Sequence, residues 1–231
     1  MNNKKENSFP PVKIAVLIDG GFFIKRFNQL YNKDGKMTGK QVADHLYTMA
    51  MKHVGRSNTL YRIFYYDCFP LNKKVHNPVT KRLLNYASTP QYSFRMELME
   101  ALKQKRKVAL RIGDLKDNHN WLIRPSRVKD LLAGKKKIED LSENDVFLDV
   151  KQKGIDMKIG VDISTLALKR FVDTIVLFSG DSDFVPAAKL ARREGIDFIL
   201  DPMSANVEPQ LFEHVDGMES QSPYPMKKPK K

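Results

Sequence analysis

The sequence predicts an α/β fold with a mainly parallel central sheet, and three observations carry that prediction. Short β-branched runs alternate with longer amphipathic stretches, a pattern of βα units rather than of a sandwich or a bundle. No internal repeat is present, so a solenoid is not in competition. Several of the β-rich runs stop at an aspartate, which puts charge where an open parallel sheet places its ligand site.

Taken in order, residues 1–10 read as a flexible N-terminus and the folded body as residues 11–217. Val12–Ile18 is the first strand, a run of branched apolar residues closed by Asp19. Gly20-Gly21 turns the chain into a helix over Phe22–Leu30, and Thr38–Val54 forms a second. Leu60–Tyr66 is the next strand, ending at Asp67, and helices are expected at Pro78–Tyr86 and Ser93–Lys103. Val108–Ile112 reads as a strand that opens a basic middle segment, about 103–149, within which Trp121–Ile123 has strand character and Arg127–Leu132 that of a helical turn. A helix over Ile155–Arg170, a strand at Thr174–Phe178, a helix at Phe184–Arg193, a strand at Ile196–Leu200 and a short helix at Pro209–His214 complete the body. Residues 218–231 read as a flexible Lys/Pro-rich tail.

The chain has 231 residues, ample for a hydrophobic core, and its 40 Lys and Arg against 27 Asp and Glu leave a net charge of +13. That excess favours a polyanionic partner, because lysines and arginines that neutralise phosphates release condensed counterions. The densest basic stretch outside the tail includes Lys103, Lys105, Arg106, Lys107 and Lys135, Lys136, Lys137. It reads either as a solvated face or as a surface that tracks a phosphate backbone. The lone Cys68 excludes an internal disulfide and a cysteine zinc cluster and fits a reducing compartment. No apolar run approaches the roughly 20 residues of a membrane span and no secretory h-region opens the chain, so the expectation is a cytoplasmic protein with no membrane partner.

The chemistry is sought in the aspartates. Asp67 and Asp201 taken singly read as turn formers or helix caps. Asp19 is followed by two glycines that let backbone approach a ligand, and Ser179-Gly-Asp-Ser-Asp183 closes a strand with two acids where capping needs one. At 100° per residue, Asp162 falls between Ile159 and Leu166 on a core-facing stripe, where a carboxylate is costly unless paired or metal-bound. Two partners fit it: a metal shared with Asp19 and Asp181, or a buried salt bridge to an Arg or Lys. Asp156 lies near that helix's start, where the dipole favours an acid in any case. Oxygen-only ligands of this kind suit Mg²⁺ or Mn²⁺ and in-line hydrolysis of a phosphodiester. Phosphate-loop, GxGxxG, His-Glu-x-x-His and Gly-x-Ser-x-Gly motifs are all absent, and the histidines show no ligand spacing.

On Val16-Leu-Ile-Asp19-Gly20, Lys153-Gly-Ile-Asp156, Val161-Asp162 and Ser179-Gly-Asp-Ser-Asp183-Phe184, together with Ser204, Asn206, Leu211 and Asp216, the chain resembles the NYN domains, the LabA-like (DUF88) branch of the PIN-like nucleases. The resemblance implies a three-layer α/β fold and an acidic, Mg²⁺- or Mn²⁺-dependent pocket that cleaves RNA. It further implies Asp19, Asp162 and Asp181 as metal-binding acids and Asp183 and Asp156 as additional carboxylates. Where many relatives place an Asn shortly after the first Asp-Gly, this chain has Gly21-Phe22-Phe23. The expected function is a metal-dependent endoribonuclease acting on single-stranded RNA through a metal-activated water, with catalytic Asp19, Asp162, Asp181 and Asp183. Its rivals are a non-catalytic RNA-binding or scaffold module that retains the acidic pocket and a small-molecule phosphohydrolase. The nuclease reading requires Asp162 to converge on Asp19 and Asp181 rather than on an arginine.

Overall fold

The computed structural model describes residues 10–225. Its centre is a sheet of seven strands in the order β6-β5-β2-β1-β7-β8-β9. These are β1 (Lys13–Asp19), β2 (Thr59–Cys68), β5 (Val108–Ile123), β6 (Val146–Lys153), β7 (Thr174–Phe178), β8 (Asp197–Asp201) and β9 (Gly217–Met218). All neighbouring pairs run parallel except β5 and β6, which are antiparallel. β3 (Lys74–His76) and β4 (Leu83–Asn85) form a separate antiparallel hairpin.

Alternation along β1 explains the three layers. Ile14, Val16 and Ile18 point to one face, where α1 (Gly20–Leu30), α2 (Gly39–Val54) and α3 (Pro90–Lys103) bury Phe23, Phe27, Leu46, Met49 and Leu98. Ala15 and Leu17 point to the other, covered by α5 (Ile155–Leu168), α6 (Val185–Arg193) and α7 (Pro209–Phe212) through Ile159, Ile163, Ala188 and Leu211. Each large apolar side chain fully removed from water contributes on the order of 1.5–3 kcal/mol, so the two faces of β1 hold the layers together. Helix α2 starts with a capping box: Thr38 Oγ1 accepts from Gln41 N at 3.2 Å while Gln41 Oε1 accepts from Thr38 N at 2.9 Å.

The structure differs from the sequence expectation at three places. Residues 78–86 are not a helix. Asn77 Oδ1 accepts from Val79 N and Thr80 N, an Asx turn that, with Lys81 at φ 60°, closes the β3–β4 hairpin. The strand beginning at Val108 continues to Ile123, well past Gly113, the last residue paired with β2. This extension pairs with β6 across an irregularity between Asp117 and Trp121, and the ribbon projects beyond the carboxyl edge of the sheet. Helix α4 (Pro125–Leu132) follows it.

The third difference is the tail. Gly217–Met218 is a strand, and the segment behind it is packed rather than loose: Gln221 N donates to Asp201 Oδ2 at 3.1 Å. Lys52 Nζ donates to the carbonyls of Ser222 and Tyr224, and the Tyr224 ring meets Tyr31 and His45. The terminal lysines, and most of the N-terminal stretch read as flexible, lie outside the described residues. No helix among the described residues is long and apolar enough to cross a membrane.

Candidate active site

The chain enters the sheet at its centre, leaves β1 toward β2 and later returns to β7 on the opposite side, so the loops after β1 and β7 flank the point where strand order reverses. Asp19 closes β1 at the first of these junctions. It caps α1, its Oδ1 accepting from Phe22 N at 3.1 Å. Gly20 beside it is required by close approach, since a Cβ there would sit 2.7 Å from both Tyr65 Oη and the Tyr66 carbonyl oxygen. In the second loop Asp181 Oδ1 accepts from Asp183 N at 3.0 Å, opening the 3₁₀ turn Ser182–Phe184 that leads into α6. Asp156 lies in the first turn of α5, which begins after Gly154 at φ 79°, a left-handed conformation that favours glycine. The Phe22 ring lies over Gly180, 3.1 Å from where a Cβ would be.

These acids repel one another. Burial, and behind it the carboxylates of Asp156 and Asp67, push Asp19 up to about 6 against the opposing N–H groups of Phe22 and Gly21. Asp156 is likewise raised by burial, then by Asp181 and Asp183. The ion pairs at this end of the molecule go to other acids, Asp67, Asp162 and Asp201, leaving these four without a cationic partner among the described residues.

Asp162 departs from the expected ligand set. Its Oδ2 accepts from Tyr66 Oη at 2.8 Å and from Arg111 Nε at 2.9 Å, so the alternative of a salt bridge to an arginine is the one the structure contains. The reason is helical rise. Six residues beyond Asp156, at about 1.5 Å each, put Asp162 roughly 9 Å further along α5, where the long side chains of Tyr66 and Arg111, whose backbones are level with Asp19, reach it. Tyr66 is itself raised by burial and then by Asp162, so its hydroxyl keeps the proton it donates.

Asp67, read from sequence as a turn former or cap, is buried at the end of β2 and saturated with donors. Cys68 N at 2.7 Å, Gln152 Nε2 at 2.9 Å, Tyr65 Oη at 3.0 Å and Arg95 all serve it. Burial raises its pKa and Arg95 opposes that. Arg95 and Gln152 carry no sequence signal, because they come from α3 and β6 and meet only in three dimensions. Asp201 is structural as well: buried, it accepts from His53 Nε2 at 2.8 Å and from Met203 N at 2.8 Å.

The basic stretch does not gather at this rim. Arg111 is level with Tyr66 and, through it, with Asp19, so Lys103, Lys105, Arg106 and Lys107, which precede β5, lie toward the opposite edge of the sheet. Lys103 pairs with Glu100, Lys105 with Asp44, and Lys107 donates to the Leu60 carbonyl. Lys135, Lys136 and Lys137 follow α4, with Lys136 Nζ 4.0 Å from Asp145. Beside the rim, and lined by none of its four acids, is a groove of about 840 Å³ between the β5–β6 ribbon on one side and α1, α3 and the β3–β4 hairpin on the other. Arg95 and Gln152 line its inner end. Tyr65 and Tyr66 are core residues, whereas Phe69 and Trp121 line this groove.

Among the described residues, no three acidic, histidine or cysteine side chains stand close enough together to form a complete metal-ligand set. The donor chemistry of Asp19, Asp156, Asp181 and Asp183 nevertheless fits a hard divalent cation: all are carboxylates, Asp156 raises Asp19 and is itself raised by Asp181 and Asp183, and Mg²⁺ is commonly held by one or two protein carboxylates with water and phosphate completing the shell.

Comparison with protein families matches residues 97–208 to the NYN domain. The match includes Asp156, Asp162, Asp181 and Asp183 and stops short of Asp19 and Asp67. No curated protein matches the chain. Similar solved structures include a protein of unknown function from Vibrio parahaemolyticus RIMD 2210633, with 15% identity over 93% of this chain and 95% of that one and a TM-score of 0.46. Another, described under the mechanism and regulation of Sir2 enzymes, has 11% identity over 92% of this chain and 88% of that one and a TM-score of 0.36.

Proposed function

We propose, on the match of residues 97–208 to the NYN domain, a PIN-like nuclease domain, that the protein is an endoribonuclease of the LabA-like branch that hydrolyses RNA phosphodiesters at the rim formed by Asp19, Asp156, Asp181 and Asp183. The observation that carries the reading is the electrostatics of that rim. Four carboxylates without a cationic partner among the described residues, two of them raised by burial and by neighbouring carboxylates, store repulsion that a bound divalent cation relieves. Asp19 and Asp181, on either side of the strand-order reversal, would hold Mg²⁺ or Mn²⁺ with water and substrate phosphate completing the shell, and Asp156 and Asp183 would act on it through water. When bound, such an ion supplies Lewis acidity and offsets charge on the phosphoryl oxygens.

The chain's own residues divide the remaining work. Asp19, raised to about 6 with no cation beside it, would give up that proton on binding the ion and then be held as a carboxylate. Asp183, two residues after Asp181, orients substrate or water at the rim. Phe22, over Gly180, excludes water from one side.

A single-turnover assay on labelled RNA with Mg²⁺ or Mn²⁺ tests the reading. Wild type cleaves and Asp181→Asn loses at least about a hundredfold in rate; equal cleavage by both proteins overturns it. A second reading has a specific observation in its favour. Arg111 holding Asp162 defeats the sequence expectation that Asp162 converges on Asp19 and Asp181, so the nuclease reading stands only in a form without Asp162, and the loss of that ligand equally suits a non-catalytic RNA-binding module that keeps its acids. That reading predicts salt-sensitive RNA binding with no turnover in any metal.

A further inference from the structure

We propose that the groove beside the acidic rim seats the unpaired bases of an RNA strand, with Trp121 and Phe69 as stacking surfaces; the occupant's identity as RNA rests on the reading above. The groove is built by parts of the chain outside the sheet's parallel core: the projecting β5–β6 ribbon, the β3–β4 hairpin and the start of α3. Tyr86, Tyr92, Phe94, Trp121 and Phe147 are half-buried along it and Phe69 is 43% exposed, so aromatic surface is left uncovered where a fold seeking only stability would bury it.

Its polar equipment suits bases rather than phosphates. Gln91 and Gln152 line it with amides, which pair with base edges. Its charged lining residues are Arg95, Arg124 and Glu143, and Arg95 is already engaged by Asp67. Arg124 stands 5.7 Å over the Phe147 ring, an arrangement that keeps one cation at the far end of the groove.

Continuity with the rim fixes the direction. Gln152 donates to Asp67 from the groove's inner end, and its Oε1 lies 3.5 Å from the Cβ position of Gly21, two residues from Asp19. A strand with its scissile phosphate among the acids therefore runs its neighbouring bases into the aromatics. A duplex keeps its bases stacked inside and offers this groove no flat face, so the site selects single strands.

Trp121 is the chain's only tryptophan, which makes the test direct. Its fluorescence is followed in the full chain, with EDTA to silence cleavage, during titration with a short oligoadenylate, the same strand paired to oligouridylate, and adenosine monophosphate. The single strand is expected to quench Trp121 and the duplex to leave it unchanged. Phe69→Ala, judged folded by its thermal unfolding, should weaken single-strand binding roughly tenfold. RNA that binds, by anisotropy of a labelled strand, or is cleaved without changing Trp121 emission or responding to Phe69→Ala overturns the groove assignment while leaving the ribonuclease reading intact. Adenosine monophosphate quenching as tightly as the strand overturns it in favour of a mononucleotide pocket. Absence of any binding overturns it, and absence of cleavage in the separate metal assay is what defeats the enzyme. Quenching retained in Asp181→Asn with cleavage lost supports both.

Discussion

Asp19 carries the clearest consequence at the scale of single residues. Its carboxyl, ordinarily near 3.8, is pushed up to about 6, so the folded protein holds that proton more tightly than the unfolded chain does. The stability this contributes is present below pH 4 and is lost as pH rises through 6. Asn keeps the cap on α1 but carries no charge. Asp19→Asn should therefore become progressively more stable than wild type between about pH 4 and 6, by at most about 3 kcal/mol, with the difference constant above that. Urea unfolding of both proteins across that range in EDTA checks it, and Mn²⁺ at pH 7 should narrow the gap. Asp162 gives a second prediction: as a partner of Arg111 and Tyr66 rather than a ligand, Asp162→Asn should retain far more RNA cleavage than Asp181→Asn in parallel single-turnover assays. The sequence exposed the acids through their places at strand ends and helix starts. It was silent on which arginine stood opposite, because Arg95 and Arg111 lie 28 and 51 residues from the carboxylates they serve.

At the scale of elements, periodicity located five of the sheet's seven strands, missing β6 and β9, and all the helices of its two covering layers, since each of those helices has one face that must be buried. It failed for residues 78–86, where a few apolar residues at mixed spacing resembled a helix. The informative signal there was the Asn77-Pro78 turn dipeptide. It also cut β5 short at Ile112. Beyond that residue the strand leaves the sandwich of helices, so Asp114, Lys116, Asp117 and Asn118 carry no apolar alternation to betray it. Contact between α2 and α3 gives an element-scale test. A Cβ on Gly39 would lie 2.4 Å from the Phe94 carbonyl oxygen and 2.5 Å from Leu98 N, both backbone atoms that cannot swing aside. Gly39→Ala should lower stability by about 1–3 kcal/mol in chemical unfolding, despite alanine's better helix propensity.

For the molecule as a whole, the final described segment acts as a strap across α2 and β8. His53 and Asp201 are both buried and joined at 2.8 Å, and Asp201 also receives Gln221 N. Lys52 holds two carbonyls of the strap, at Ser222 and Tyr224. Ending the chain after Met218 removes these contacts and leaves Asp201 short of a donor. The truncated protein should unfold several degrees lower by calorimetry, since 1 kcal/mol is about 2–4 °C at this chain length. This strap was invisible in composition, where Ser, Pro and Lys near the terminus read as a loose tail.

The two margins of the sheet also bear on how the molecule behaves in a crowd. One margin is β9, only two residues long, and the other is β6, whose last three residues, Lys151, Gln152 and Lys153, are exposed. A neighbouring copy seeking to add its own strand would find almost no hydrogen-bonding frontage at the first and would have to desolvate lysine ammonium groups at the second. The protein is thereby guarded at both flanks against edge-to-edge polymerisation, and it should stay free of amyloid-type aggregates at concentrations where an unguarded seven-stranded sheet would not.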